Sequence, residues 1–395
     1  MTADSTRRPW SPWRGVACAN LGGMPLFDRG CSTGVYWMSI RFSRRQCLVS
    51  TSLLAIAASS PRSPAEEVAG EKIASRPVIG KPVTCRTIPL GQAGIRRVVT
   101  AIAADPRGEY LAAAGDDCKI RILRTRDLKV VRTLVEHDDI VRTLDFDPTG
   151  KKLVSAGNDG RLILWNRDES FRFIREVAGS PALSEVTFAP DGSGLAAVGF
   201  ESEVFLLGNG DSQRVSLKCA CQDLRAVRYR DDAAVLAVAG RCGTLHLFDS
   251  ATKECEEHRL HTARIRDIVF LPSGNVAICV AEDGFVSVFD TSGVQPPRRF
   301  RAITGKLFAV TILDSELVAV AGSDNVIRVI DWEKGQIVRR LEGHTGSVTA
   351  LDAQRGLLFS GSYDATLRRW SIADIVAGRQ RIAGAAAAGT GPRVD

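Results

Sequence analysis

The sequence predicts an all-β protein built from seven copies of one repeat, and three observations predict it. First, residues 343–371 (GHTGSVTALDAQRGLLFSGSYDATLRRWS) and 136–166 (EHDDIVRTLDFDPTGKKLVSAGNDGRLILWN) share a pattern. His344, Ser360, Asp364 and Trp370 in one match His137, Ser155, Asp159 and Trp165 in the other. Second, the aspartate position recurs at Asp117, Asp159, Glu201, Cys242, Asp283, Asp324 and Asp364, at intervals of 40–42 residues. That is the period of four-stranded propeller blades. Third, each copy carries short runs of Val, Ile, Leu and Phe, as strands packed on both faces require. Helical patterning is nearly absent; only residues 373–381 are expected to wind into a turn or two.

Each element follows from local chemistry. The inner strand of a copy alternates polar and apolar residues, as in Thr143-Leu144-Asp145-Phe146, and runs into Asp147-Pro148-Thr149-Gly150. The same turn recurs at Asp105-Pro106-Arg107-Gly108, Pro190-Asp191-Gly192 and Pro272-Ser273-Gly274. Proline suits the first central position of a tight turn and glycine accepts positive φ. Second strands are expected at 152–155, 195–198, 235–238, 276–280, 317–320 and 357–360, and third strands at 119–123, 161–165, 244–248, 285–289, 326–330 and 366–370. Residues 83–90 (VTCRTIPL) resemble the outer-strand segments KVVRTL (129–134) and QIVRRL (336–341). The last copy lacks an outer strand of its own. Residues 83–90 are therefore expected to supply it, closing the ring and hiding sheet edges.

The His, Ser, Asp and Trp positions, with closing pairs Trp165-Asn166, Phe248-Asp249, Phe289-Asp290, Ile330-Asp331 and Trp370-Ser371, resemble the WD40 repeat family. The resemblance covers about 83–375 and departs from the pattern at Glu201 and Cys242. It implies a seven-bladed β-propeller of four-stranded antiparallel blades, closed by an N-terminal strand. It also implies that His137/Ser155/Asp159/Trp165 and His344/Ser360/Asp364/Trp370 are hydrogen-bonded structural tetrads rather than catalytic triads. His261 and Asp283 form a partial set with Cys279 and Phe289. No catalytic residue is expected.

In this family the face bearing the histidine loops, and the channel rim, commonly bind partners. One ring there is Asp116, Asn158, Phe200, Arg241, Glu282, Ser323 and Tyr363, each one residue before the turn position. A second is Thr100, Arg142, Ser184, Arg225, Arg266, Phe308 and Thr349, each four residues before the end of an inner strand. Arg142, Arg225, Arg266, Phe308, Phe200, Arg241 and Tyr363 are the candidate partner-binding residues, because arginine and aromatics dominate binding hot spots. The competing expectation is that the arginines pair with Asp116, Asp139, Asp223 or Asp267 and bind nothing.

Of the 52 basic and 45 acidic residues, 13 and 6 lie in 1–80 and 376–395, leaving 39 of each in between. The formal charge of +7 therefore resides in the tails, which excludes nucleic-acid binding by the bulk charge of the folded part. The ten cysteines show no C-x-x-C, and Cys219-Ala220-Cys221 lacks zinc-ligand spacing. They read as buried small hydrophobes, or as an inter-strand disulfide if the chain is exported. His246 and His258 lie in different strands without paired ligand spacing, so no metal or cofactor is expected. There is no P-loop and no nucleophile elbow.

Residues 1–37, with Trp10, Trp13 and Trp37 among Pro, Gly and Arg, read as disordered or as lying upstream of the true start at Met38. Residues 38–65 have the layout of a secretory signal, with Arg41, Arg44 and Arg45 before an apolar run at 47–58. That run is too short to span a bilayer. Ser43-Arg44-Arg45-Gln46-Cys47-Leu48 resembles the bacterial twin-arginine export signal. A linker (66–82), the propeller (83–375) and a disordered tail (376–395) follow. The chain is expected to be exported, to periplasm or outside the cell, if Met38 is the start, and cytoplasmic otherwise.

The functional expectation is a non-enzymatic monomeric scaffold that takes a protein or acidic peptide, with no nucleic acid and no transmembrane segment. The alternatives are a propeller enzyme of the lactonase or quinone-dependent dehydrogenase kind using the channel, and a sensor module acting in trans. Fold class alone does not choose among them.

Overall fold

In a computed structural model, residues 83, 85–90, 97–177, 179–208, 214–272 and 274–377 are described. The expectations for 1–37, 38–65, 66–82 and most of the tail fall outside them. Twenty-eight strands form seven four-stranded antiparallel sheets. Blades 1 to 6 occupy 99–134, 141–177, 183–218, 224–259, 265–301 and 307–341. Blade 7 joins Val348–Gln354, Leu357–Ser362 and Thr366–Ser371 to the N-terminal strand Cys85–Pro89. Cys85 faces Trp370 and Pro89 faces Thr366, so the two ends of the fold meet in one sheet. A ring closed this way leaves only short, protected edges.

The second strands are longer than expected: Lys152–Gly157 and Leu357–Ser362, for example, run two residues further, into the turn. The third strand Glu203–Gly208 is not among those expected, although Val204 to Leu207 is an apolar run; the outer strands Arg172–Val177, Arg214–Lys218, Cys255–Arg259 and Arg298–Arg301 are not marked by separate apolar runs. Outer strands such as Val130–Leu134 are largely exposed, so nothing forces a hydrophobic rhythm on them. The core lies between blades, where middle-strand residues such as Leu153, Ile163, Ala237, Val320 and Leu358 have no exposed surface. Gly150 sits at φ 62° in its Asp-Pro-Thr-Gly turn, a conformation glycine adopts without cost.

Helix is confined to 372–377 among the described residues, which places 376–377 in the folded part rather than the tail. Ile375 buries itself against blades 6 and 7. Arg339 donates to the Asp374 and Ile375 carbonyls at 3.2 and 3.1 Å, satisfying acceptors that a helix end leaves open. Among the described residues no helix is long and apolar enough to cross a membrane.

Candidate functional site

The central channel is lined by all seven inner strands, and its mouth is built by one irregularity repeated seven times. In every blade the pairing of first and second strand shifts register around the second residue of the inner strand. Those residues are Thr100, Arg142, Ser184, Arg225, Arg266, Phe308 and Thr349, and all seven line the channel cavity. Such a bulge leaves one residue unpaired and re-aims its side chain. A glycine stands opposite in five blades, at Gly115, Gly157, Gly199, Gly240 and Gly322. A Cβ at Gly157 would collide with the Ile140 carbonyl. That recurrent glycine, two residues before the turn position, is the sequence signal for the bulge.

The small members of the ring turn inward on the protein. The hydroxyls of Thr100, Ser184 and Thr349 donate to the Val141, Leu224 and Val99 carbonyls of the next blade, at 2.5, 2.6 and 2.6 Å. Arg142, Arg225, Arg266 and Phe308 are too long for that role and occupy the mouth. Arg142 and Arg225 lie over the Phe200 ring at 5.7 and 4.0 Å from its centroid, and Arg266 lies 5.3 Å over Phe308. Phe200 and Tyr363 are exposed, and Tyr363 joins the lining. Arg241 does not: it is exposed on the blade 4 turn, where its N–H donates to the Asp223 carbonyl at 3.2 Å, and it is outside the channel lining.

Pairing at the mouth is partial. Arg225 meets Asp223 at 2.6 Å, one of the four carboxylates expected to compete. Arg266 meets Glu282 instead, at 3.5 Å, and Arg142 donates to the amide oxygen of Asn158 at 2.6 Å. Arg264 contacts both Asp223 and Glu282, and Lys306 contacts Glu282. Four cations thus share two carboxylates, with Arg142 beside them. Burial lowers the pKa of Arg225 against the pull of Asp223, and repulsion from Arg266, Arg264 and Arg142 lowers it further.

Below the arginines lies a set of acids of which the sequence singled out only Asp267, and that as an arginine partner. Asp145, Glu185, Asp267 and Asp352 each accept a backbone N–H from the next inner strand: Phe188, Val227, Val310 and Ala104, at 2.8, 2.9, 2.9 and 2.7 Å. Asp352 makes this bond across the ring closure. Burial pushes Asp145 and Asp352 up to about 6 and Glu185 up to about 8, and moves Asp267 the same way, with Arg228 opposing in each case. These carboxyls bind blade to blade. In sequence they are ordinary polar positions of alternating strands, with nothing to reveal a partner about 43 residues on.

The proposed tetrad residues lie together at one end of blades 2 and 7. His137 Nδ1 is 2.8 Å from Asp159 and Nε2 is 2.8 Å from Ser155 Oγ, to which Trp165 Nε1 donates at 2.9 Å. The corresponding distances from His344 to Asp364 and Ser360, and from Trp370 to Ser360, are 2.9, 2.8 and 3.0 Å. Burial holds both imidazoles below their ordinary pKa, against the attraction of the aspartates. A neutral ring can donate from Nδ1 and accept at Nε2, which suits this chain of bonds. The serine hydroxyls have no surface exposure, so an attacking role is closed to them.

The cysteines require a correction. Cys221 and Cys242 form a disulfide, Cα atoms 5.7 Å apart, between the loop entering blade 4 and its turn. They are not merely small hydrophobes, although Cys219 and Cys279 are buried free thiols. His246, on the next strand, brings Nε2 within 3.6 Å of Cys242 Sγ.

Four segments, 90–123, 128–166, 252–290 and 335–371, match the family "WD domain, G-beta repeat". Similar curated proteins are eukaryotic. The Nuclear distribution protein PAC1 of Arthroderma benhamiae is 25% identical over 307 residues, 70% of this chain and 59% of that protein. The Periodic tryptophan protein 2 homolog of Caenorhabditis elegans is 23% identical over 172 residues, 41% of this chain and 19% of its own. Mitochondrial division protein 1 of Neurospora crassa is 33% identical over 82 residues, 20% of this chain and 13% of its own. The chain therefore spans less than two thirds of the length of each. With these matches, the tetrad geometry and the closed ring together, the chain carries repeats of the WD40 family, folded as a seven-bladed β-propeller.

Proposed function

We propose that the protein is a non-enzymatic scaffold whose channel mouth receives an acidic segment of a protein partner. The observation that carries this is the surplus of cations at the mouth: Arg225, Arg264, Arg266 and Lys306 share Asp223 and Glu282, and Arg142 stands beside them. An incoming carboxylate relieves that repulsion. Phe200, Phe308 and Tyr363 supply apolar surface around the cations, the mixture that concentrates binding energy in interfaces.

Two features weigh against channel chemistry. The cavity is about 150 Å³, smaller than the roughly 300–1,000 Å³ usual for a bound small molecule. Its acids already hold backbone N–H groups of neighbouring blades.

The test uses a fluorescent Glu-rich peptide and anisotropy at low and physiological salt. Saturable, salt-sensitive binding is expected, and the triple variant Arg142→Glu, Arg225→Glu, Arg266→Glu should abolish it while circular dichroism stays unchanged. Equal binding by a folded triple variant, or none by the wild type, overturns the reading.

A further inference from the structure

Blade 4 gathers a set of ligands that nothing in the linear spacing announces. Cys221 comes from the loop before the blade, Cys242 from the turn after its second strand, and His246 from its third strand, Thr244–Asp249. Their ligating atoms lie within 4.8 Å of one another. Cys221 is 2% and His246 1% exposed, so two of the three are shielded from bulk solvent. His246 directs Nε2 toward the sulfurs, while the buried Nδ1 lies 3.4 Å from the carboxylate of Glu257, its cross-strand neighbour on Cys255–Arg259, without a hydrogen bond in this disulfide form. A carboxylate behind the second ring nitrogen fixes tautomer and orientation in metal-bound histidines.

We propose that the reduced protein binds one Zn²⁺ through the Cys221 and Cys242 thiolates and His246 Nε2, with Glu257 orienting the imidazole. Two thiolates and an imidazole are a donor set that zinc takes readily in tetrahedral geometry, with the fourth position open to water. The disulfide seen here is then the metal-free form of the same site, because the two sulfurs cannot serve both bonds.

The two forms interconvert with a low-molecular-weight disulfide as oxidant. One protein thiolate attacks a sulfur of the small disulfide and expels one small thiolate. The second protein thiolate then attacks the mixed disulfide, closes the Cys221–Cys242 bond and expels the other. Two electrons pass from the protein sulfurs to the small disulfide. The metal leaves as Zn²⁺, its charge balanced by the two released thiolates. The site would thus couple zinc occupancy to thiol redox state on blade 4, the blade whose inner strand carries the channel arginine Arg225.

The experiment titrates the full chain, reduced with a phosphine and freed of metal, with Co²⁺ as a spectroscopic probe. One equivalent should produce near-ultraviolet thiolate-to-cobalt charge transfer and visible bands of tetrahedral cobalt, and Zn²⁺ should erase both. The disulfide form should show neither and should gain both on reduction, an arm that needs no mutation. Cys221→Ser with Cys242→Ser should remove the charge-transfer band. Glu257→Gln should weaken binding by about 10–100-fold, the usual effect of losing such a carboxylate. No band in the reduced wild type, or an undiminished band in the double variant, overturns the proposal; the latter would move the metal to the neighbouring His246, Cys255 and Glu257 group.

Discussion

Blades 2 and 4 face the same mechanical problem and solve it with different chemistry. In each, the turn after the second strand must be tied to the loop that enters the blade. In blade 2 the tie is a chain of hydrogen bonds from Asp159 through His137 and Ser155 to Trp165, reaching from turn to third strand. In blade 4 the Cys221–Cys242 disulfide spans turn and loop alone. Val238 and Phe248 occupy the positions of Ser155 and Trp165, both buried and without polar atoms needing partners. Blade 5 is intermediate. His261 reaches Asp283 at 3.2 Å, but Cys279 replaces the serine, and the buried His261 Nε2 has no hydrogen-bond partner among the described residues. Blades 1 and 6 pair the turn aspartate with an arginine four residues on, Asp117 with Arg121 and Asp324 with Arg328. Six of the seven turn positions are thus tied, by one chemistry or another. A polar tie that lacks a member leaves a buried atom unpaired, as at His261 Nε2, whereas a covalent one may stop halfway without that cost.

The comparison can be broken from either side. The largest effect is expected from Trp370→Ala in the second tetrad blade. It removes a side chain 1% exposed and leaves Ser360 without its indole donor, and should cost about 3–5 kcal/mol in urea-unfolding midpoint and slope. A loss below about 1 kcal/mol would mean that the tetrad is not a structural tie. Next, reducing the blade 4 disulfide under chelation should cost about 3 kcal/mol, the chain-entropy value for a loop of 21 residues. The fall in melting temperature on adding reductant should be absent from Cys221→Ser with Cys242→Ser, and its persistence there would assign it elsewhere.

The smallest effect is one of pH. Burial depresses the pKa values of His137 and His344 in the folded state, so the unfolded chain binds protons first on acidification. Their contribution is fully present above the unfolded value of about 6.5 and is lost as pH falls through it and on through the folded values. Between pH 7.5 and 5.5 the wild type should lose more melting temperature than His137→Gln with His344→Gln, whereas reduced and oxidised blade 4 should differ equally at both pH values. Parallel pH profiles for wild type and the glutamine variant would remove the imidazoles from the account.

The sequence by itself determined the number of blades, the strands packed on both faces and the closing role of the N-terminal strand. Those features are set by local patterning and a fixed period, both visible along the chain. It also pointed to the ring Thr100, Arg142, Ser184, Arg225, Arg266, Phe308 and Thr349, because each stands at the same distance from the end of an inner strand. Of the ring one residue before the turn position, Tyr363 joins the channel lining while Phe200 and Arg241 stand outside it, a difference that equal positions in the repeat do not show. Only the tertiary structure decided which ring members turn inward to the next blade and which face the mouth. Only it revealed that four strand carboxyls bind neighbouring strands, and that two cysteines 21 residues apart meet beside His246. Closing a ring brings together residues from a loop, a turn and separate strands. Their chemistry then depends on distances across the gap, which no spacing along the chain records.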